Sequence, residues 1–349
     1  MRRYPSRTHM RYTAVTEEVN VNMDINQIAQ MAGVSRATVS RYLNDGYVSQ
    51  EKRAAIRRVI EKTGYVPSRQ AKSLRTGKTN VVGVIIPKIN SASVSRMVAG
   101  ITLVLNEAGY QVLLANTDND AAREVEFLHL FAEKSQVDGV ILIATVITPE
   151  HREAISALPV PIVVLDQDVD LCSCVYQDDY AAMREMAALA LRDARHPAYI
   201  GVFEEDVAVG QMRRKGFLAA CAEAGVEVPE RALRIADFTV DSGYEQAEAL
   251  LEDYPELDVI VCATDSIAYG ALTCLREYGH SVPEEVAVTG MDDSEISQIV
   301  TPTLTTVHLH YKTSGMETAR MLVGFMTGEE YVPRKVKMSY EVVTRNSTR

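Results

Sequence analysis

The sequence has few cysteines, no tryptophan and no long uncharged apolar run. Five cysteines are too few, and odd in number, for a disulfide scaffold in 349 residues, which favours a reducing compartment. No stretch approaches the roughly 18 apolar residues that a membrane helix needs. The first 20 residues are basic but lack an apolar core, so we expect no secretory signal. These absences predict a cytoplasmic protein with no membrane partner.

The charge of the chain is unevenly distributed. Residues 23–78 hold eleven Lys and Arg against four acids, a net charge of +7, and residues 1–22 add +2. The rest of the chain is acidic, which brings the total to −11. A short basic segment on an acidic chain is typical of a nucleic-acid-binding module fused to a body that does not bind nucleic acid. At about 150 residues per domain, the length predicts two or three domains.

The basic segment contains the pattern of three short helices. Asp24 begins a capping-box pattern for the first helix, and Ser35 is placed to cap a second helix over residues 36–43. Ser49 is placed to cap a third helix that ends near Gly64. A helix, a glycine turn and a second helix with an exposed polar start are typical of a helix-turn-helix unit, whose second helix enters the major groove. A small helical bundle with a basic exterior is the alternative.

The exposed side of the second helix is predicted to carry residue types that suit DNA. An arginine fork can bond O6 and N7 of guanine together, and a small alanine can lie against a thymine methyl. Serine and threonine hydroxyls more often hold phosphates, which position a helix without reading sequence. The side chains predicted to project outward are Arg36, Ala37, Thr38, Ser40 and Arg41.

The pattern A-G-V-S-x-x-T-V-S-R-x-L-N, followed by G-Y-x-P and S-L-R-T-G-K-T, closely resembles the N-terminal region of the LacI/GalR family of bacterial transcription regulators. The resemblance implies that Arg36 and Ala37 read bases. It also implies supporting contacts to phosphates or bases from Ser35, Thr38, Ser40, Arg41 and Asn44.

The resemblance further implies a hinge helix within residues 68–79, with Leu74 wedged into the minor groove. Such an apolar wedge costs about a few kcal/mol of unstacking and bends the duplex towards the protein. The segment is short and polar, so we expect it to order on DNA; a plain interdomain linker is the alternative. The predicted domains are an extension at 1–22, either disordered or absent if translation starts at Met23, a helix-turn-helix domain at 23–67, the hinge at 68–79 and a body at 80–349.

From residue 81 onwards, apolar strands alternate with helix-length segments. This alternation predicts an α/β body of parallel sheets covered by helices on both faces. About 270 residues are many for one open sheet, so two similar lobes are expected. The resemblance implies the same two-lobe body, like that of periplasmic sugar-binding proteins. It places lobe 1 at about 80–178 and 307–338, and lobe 2 at about 179–306 and 339–349.

Ligands bind such sheets beyond the carboxyl ends of the strands, where this chain has carboxylates, hydroxyls and aromatic rings. Carboxylates accept hydroxyl hydrogens and a ring face stacks on sugar C–H groups, which favours a carbohydrate. Arg213 can donate a bidentate pair to ligand oxygens or to a phosphate. The resemblance implies an effector cleft lined by Asp166, Arg213, Phe238, Thr264 and Asp292, with Asp178 and Tyr311 as weaker matches.

Ser93 lies where the family commonly has an aromatic residue, which favours a sugar or sugar phosphate over a purine. Each cleft residue also has a purely structural interpretation. Asp166 and Asp292 can cap helices, Phe238 can belong to the core, and Arg213 can pair with surface acids.

No nucleophile motif, metal motif or paired C-x-x-C motif occurs, so no enzyme activity, metal site or cofactor is predicted. The predicted function is that of a sequence-specific DNA-binding transcriptional regulator, in the simplest case a repressor of carbohydrate-utilisation genes. We expect a homodimer on a palindromic double-stranded operator, because one helix-turn-helix covers only a half-site. The effector is expected to be a small sugar or sugar phosphate, either an inducer or a corepressor. The alternatives are a carbohydrate-binding transport protein and a sugar-metabolising enzyme on the same two-lobe fold.

Overall fold

The computed structural model describes residues 23–65, 78–133 and 136–349, and the chain divides into two compact units between residues 77 and 78. The predicted extension at 1–22 and most of the predicted hinge, including Leu74, lie outside the described residues. No helix in the described part of the chain is long and apolar enough to cross a membrane.

The helices of the first unit follow the predicted order. They are α1 (Ile25–Met31), α2 (Arg36–Tyr42) and α3 (Gln50–Thr63). Ile28, Val39 and Ile56, one from each helix, are fully buried and form the centre of a small core. Because each helix is short, this shared core rather than intrinsic propensity stabilises them.

Three of the four predicted helix boundaries in this unit involve the expected side-chain or backbone geometry. Asp24 accepts hydrogen bonds from the first-turn amides of α1, and Gln27 completes the capping box. Ser35 caps α2 through the Thr38 amide, and Gly64 ends α3 at a φ of 64°, in the left-handed region. Ser49 lies at the N-cap position of α3, but its side chain makes no capping hydrogen bond, which corrects that detail of the prediction.

The second unit alternates strands and helices as predicted. Its strands are β1 (Val81–Ile86), β2 (Gln111–Asn116), β3 (Gly139–Ile143), β4 (Ile162–Leu165), β5 (Ser173–Gln177), β6 (Pro197–Gly201), β7 (Leu233–Ile235), β8 (Val259–Cys262), β9 (Ala287–Thr289), β10 (Thr306–Leu309), β11 (Lys335–Met338) and β12 (Tyr340–Val343). Its α-helices are α4 (Ala92–Glu107), α5 (Ala121–Ala132), α6 (Pro149–Ala157), α7 (Asp179–Ala190), α8 (Arg213–Glu223), α9 (Val240–Asp253), α10 (Asp265–Glu277) and α11 (Tyr311–Thr327).

Two parallel sheets define two lobes. The first lobe holds six strands in the order β11-β5-β4-β3-β1-β2, and the second holds four strands in the order β7-β6-β8-β9. Both faces of the first sheet are buried: Val82, Val84 and Ile86 of β1 belong to one core cluster, and Ile85 belongs to the other. This double burial explains why the strands are nearly continuous apolar runs rather than alternating ones.

The chain passes between the lobes at three places. It leaves the first sheet after β5, returns after β10, and leaves again after β11 towards β12, which pairs with β10 in an antiparallel two-stranded sheet. Helix α11 packs against α4 of the first lobe. Gly315 and Gly100 permit this close approach, since a Cβ at Gly100 would lie 2.0 Å from the Lys312 carbonyl oxygen.

Candidate functional site

Helix α2 presents a polar, partly cationic side on the first unit. Arg36, Ala37 and Arg41 are exposed, whereas Val39 is fully buried against α1 and α3. Within the described residues, the Arg36 and Arg41 side chains make no hydrogen bond or ion pair. These guanidinium groups are therefore available to an anionic or hydrogen-bonding partner outside the unit.

The hydroxyl and amide side chains of this region make local bonds. Ser35 Oγ and Thr38 Oγ1 lie 2.9 Å apart, and Ser35 Oγ also accepts the Thr38 amide at 3.2 Å. Asn44 Nδ2 donates to the Ser40 carbonyl oxygen. These bonds hold the two ends of α2 in position, which leaves the arginines as the extended groups.

A cavity of about 530 Å³ lies at the carboxyl ends of strands from both sheets. This volume is within the range of small-ligand sites. Residues from both lobes line it, and the predicted effector residues all lie on its wall: Ser93, Asp166, Arg213, Phe238, Thr264 and Asp292.

Arg213 is the most deeply buried cation of the cavity wall, with 2% of its surface exposed. A short π-helix, Val207–Met212, leads into α8 and places Arg213 at the first turn of that helix. Arg213 Nε donates to Asp179 Oδ1 at 2.7 Å, and Nη1 donates to the Ala263 carbonyl oxygen at 2.6 Å. Its partner is therefore a buried carboxylate and not a surface acid.

Sequence reasoning missed Asp179. It named the neighbouring Asp178 instead, as a weaker match to the family's effector cleft. Asp178 caps α7 through the Ala181 amide and pairs with Lys337 at 2.7 Å. It is not among the residues that line the cavity. The signal that separates the two acids is long-range, since Asp179 meets Arg213 from 34 residues away.

Asp292 and Asp166 both follow a strand and both adopt a positive φ, 135° and 78° respectively. Asp292 Oδ1 accepts the Tyr311 hydroxyl at 2.7 Å and lies 3.9 Å from Arg213 Nη1. The Asp166 side chain has no hydrogen-bond partner among the described residues. Burial and the nearby Asp179 carboxylate raise the pKa of Asp166 well above its usual value. Neither acid caps a helix.

The remaining predicted residues combine structural contacts with a place on the cavity wall. The ring of Phe238 packs edge-to-face on Phe203, with centroids 5.7 Å apart. Thr264 caps α10 through the Ile267 amide at 3.3 Å. Ser93 Oγ lies 2.9 Å from Ser91 Oγ at the start of α4. These side chains thus line the cavity and also make contacts that support the fold.

Asp206, also missed by sequence reasoning, links the cavity to stability. Its Oδ1 accepts the Val209 amide at 3.0 Å and Gln167 Nε2 at 2.9 Å, and burial raises the pKa of Asp206 to about 6. A raised carboxyl pKa means that the folded state binds the proton more tightly than the unfolded state, so stability falls as the pH rises between about 4 and 6.

Asp206→Asn is therefore expected to unfold at a denaturant concentration that varies less with pH than that of the wild type. The free energy of unfolding of Asp206→Asn, relative to that of the wild type, should increase by about 2 kcal/mol from pH 4 to pH 7. Urea unfolding at several pH values measures it. A difference in unfolding free energy between the two proteins that stays constant over this pH range would contradict the raised pKa of Asp206.

In the part of the chain that the structure describes, no group of three or more His, Cys, Asp and Glu side chains could hold a metal ion. All five cysteines are free and buried.

Each of the two units contains a region that matches a known protein family. The family model described as "Bacterial regulatory proteins, lacI family" matches residues 24–68, and the one described as "Periplasmic binding protein-like domain" matches residues 186–348. The chain is 31% identical over 322 residues to the sucrose operon repressor of Staphylococcus xylosus, covering 91% of this chain and 99% of that protein. It is 30% identical over 334 residues to catabolite control protein A of Priestia megaterium, covering 94% of this chain and 100% of that protein.

Solved structures agree. A CelR–cellobiose complex matches with a TM-score of 0.72 and 30% identity, covering 93% of this chain and 99% of that chain. The lac repressor dimer bound to operator matches with a TM-score of 0.85 over the same shares, and at 22% identity it supports the fold alone.

A helix-turn-helix unit carried on a two-lobe ligand-binding body defines a DNA-binding transcriptional regulator rather than an enzyme or a transport protein. The chain belongs to the lacI family of bacterial regulatory proteins. This confirms the family, the fold class and the function class predicted from the sequence.

Proposed function

We propose that the protein is a repressor of carbohydrate-utilisation genes that an unphosphorylated sugar controls by binding in the cavity. The observation that carries this proposal is the polar cavity between the lobes, whose wall offers carboxylate acceptors and an aromatic ring. Carboxylates accept sugar hydroxyls and a ring packs on sugar C–H groups. Proteins similar to this chain are named as sucrose and ribose operon repressors, and one is solved with cellobiose.

The charges on the cavity wall favour a neutral sugar over a sugar phosphate. Arg213 already donates through Nε to Asp179 and through Nη1 to the Ala263 carbonyl oxygen, so two of its three nitrogens are engaged within the protein. Five carboxyl side chains and three cationic side chains line the cavity, so acceptors for sugar hydroxyls outnumber the cations that could hold a phosphate. Of the two effector classes that the sequence allowed, the unphosphorylated sugar is therefore the better fit.

On the DNA side, we propose that Arg36 and Ala37 read base edges in the major groove. Contacts that position the helix would come from Ser35, Thr38, Ser40, Arg41 and Asn44. The minor-groove role of Leu74 rests on the sequence resemblance. A homodimer acting in the cytoplasm on a palindromic operator fits this arrangement, because two-fold protein symmetry matches two half-sites.

The second unit also has a surface that suits pairing with a second copy. Strand β2 is an edge strand of the six-stranded sheet, and Leu113 and Leu114 on it are 45% and 37% exposed. Leu103 on α4 is exposed to a similar degree. An edge strand with exposed apolar side chains can serve as a template for pairing with another chain.

Calorimetric titration tests the effector class. Matched pairs of probes are used: glucose and glucose 6-phosphate, ribose and ribose 5-phosphate, with sucrose and cellobiose as neutral disaccharides. We expect saturable binding of a neutral sugar and at least tenfold weaker binding of its phosphate, because carboxyl acceptors outnumber cations on the cavity wall. A tenfold difference in affinity corresponds to about 1.4 kcal/mol.

Asp292→Ala is expected to abolish sugar binding while leaving affinity for duplex DNA unchanged, because the acceptor is lost but the first unit is untouched. Asp193→Ala, an exposed acid outside the cavity, is the matched control. Tighter binding of a phosphate than of its parent sugar, or an unchanged titration of Asp292→Ala, would contradict the proposed site.

A further inference from the structure

Arg96, on the second turn of α4, bridges the two lobes at the cavity. Its Nη2 donates to the Asp292 carbonyl oxygen at 2.7 Å and its Nη1 donates to the Asp293 carbonyl oxygen at 3.3 Å. The guanidinium lies over the Tyr311 ring, 5.0 Å from the centroid. Nε donates to the Ala92 carbonyl oxygen at 3.3 Å, which keeps the side chain against its own helix. A first-lobe helix is thereby joined to a second-lobe turn.

The turn that receives Arg96 has an unusual backbone. Asp292 and Asp293 have φ values of 135° and 47°, in regions that non-glycine residues rarely occupy. Such conformations persist only where the surroundings hold them. Asp293 Oδ2 lies 2.9 Å from His308 Nδ1, and Arg345 pairs with Oδ1 of the same carboxylate. The Asp293 side chain is thus held from the second lobe, whereas the two carbonyl oxygens of the turn are held from the first.

Two further cross-lobe bonds lie on the same cavity: the Tyr311 hydroxyl of α11 donates to Asp292 Oδ1, and Gln167 joins the lobes at another point. Gln167 Nε2 donates to the Thr145 carbonyl oxygen at 2.9 Å within the first lobe and to Asp206 Oδ1 at 2.9 Å in the second. Gln167 directly follows Asp166, and Arg96 bonds the backbone of Asp292. Each bridge therefore involves an effector residue or its immediate neighbour, so movement of the lobes and occupancy of the cavity act on the same groups.

We propose that Arg96 is a positioning residue that latches the lobes together before an effector binds. The inference rests on the proposed function only in taking Asp292 as an effector contact. A ligand between two lobes binds best when both walls are in place, so a latch that populates this state raises its apparent affinity. The planar fork of arginine suits two successive carbonyl oxygens, which a lysine ammonium does not reach in the same way.

Arg96→Met tests the latch, because methionine keeps apolar contact with the Tyr311 ring and removes the donors. The readout is the distance between spin labels on cysteines introduced at Glu153 of α6 and Glu245 of α9, measured by double electron–electron resonance without ligand. Both positions are exposed and lie on different lobes, and the five native cysteines are buried, so labelling is selective. Arg123→Met, an exposed arginine of the first lobe that pairs with Asp118, is the matched control.

We expect Arg96→Met to broaden the distance distribution or shift it to larger values, and Arg123→Met to leave it unchanged. The sugar that binds the wild type should bind Arg96→Met about tenfold more weakly, as the loss of charge-assisted hydrogen bonds implies. Arg96→Gln retains one donor group, so its distance distribution and its sugar affinity should lie between those of the wild type and Arg96→Met. It replaces Arg96→Met if that variant does not fold.

A wild-type distance distribution in both Arg96 variants would overturn the latch. Since this measurement uses no ligand, it is independent of the effector: a shifted distribution in a protein that binds no sugar would support the latch and contradict the proposed function. Sugar binding by a protein whose distance distribution does not shift in the Arg96 variants would support the proposed function and contradict the latch.

Discussion

Replacement of Arg213 by methionine is expected to destabilise the second unit by about 3–5 kcal/mol, the range seen when one partner of a buried ion pair is removed. Asp179 is 4% exposed and would lose the guanidinium that lies 2.7 Å from its carboxylate. The Ala263 carbonyl would lose its donor as well. The same change should remove sugar binding, because Asp292 and the cavity wall would lose their central cation.

Denaturant unfolding followed by circular dichroism measures the loss of stability. The double variant Asp179→Leu, Arg213→Met is the informative control, since removing both charges avoids an unpaired buried carboxylate. It should recover much of the stability lost in the single variant while remaining unable to bind sugar. Unfolding of Arg213→Met at the wild-type denaturant concentration would show that the ion pair does not stabilise the fold.

Arg36→Ala is expected to relax the base preference of each half-site by about 1–3 kcal/mol at one position, the value of a bidentate arginine–guanine contact. Arg36 is exposed at the first position of α2 and is unpaired within the described part of the first unit, so its fork is free to reach a base edge. Selection from a randomised duplex library, followed by sequencing, measures the preference at every position.

Arg57→Ala provides the comparison. Arg57 lies on α3 and pairs with Glu61 at 2.8 Å, so its loss should at most weaken binding uniformly across sequences. If Arg36→Ala selected the same bases as the wild type with the same stringency, Arg36 would be a phosphate contact or no contact at all.

Local rules predicted the first unit well. Asp24 with Gln27, Ser35 and Gly64 act at helix ends through bonds that span four residues or fewer, so their spacing alone is informative. The apolar runs of the second unit predicted its central strands for a similar reason, because a strand buried on both faces has little polar surface. The ends of the predicted strands and the family resemblance together pointed to Asp166, Arg213, Phe238, Thr264 and Asp292, all of which line the cavity.

Long-range contacts account for what the sequence did not predict. The resemblance placed residues 307–338 in lobe 1, but no apolar run predicted strand β11, which is short and carries two lysines. It pairs with β5 at the edge of the first sheet from about 160 residues away. The partner of Arg213 depends on how α7 meets α8. The role of Arg96 depends on how the first lobe faces the Asp292–Asp293 turn. Only the folded chain brings these groups together.

The account as a whole requires that affinity for duplex DNA and occupancy of the cavity depend on each other. Binding of a labelled duplex, selected by the protein from a random library, measures this directly by fluorescence anisotropy with and without the sugar identified by calorimetry. We predict that the sugar changes the affinity by about 5- to 150-fold, and that affinity falls steeply with salt as counterions are released. Equal affinity for the selected duplex and a scrambled competitor, unaffected by sugar at either salt concentration, would contradict it.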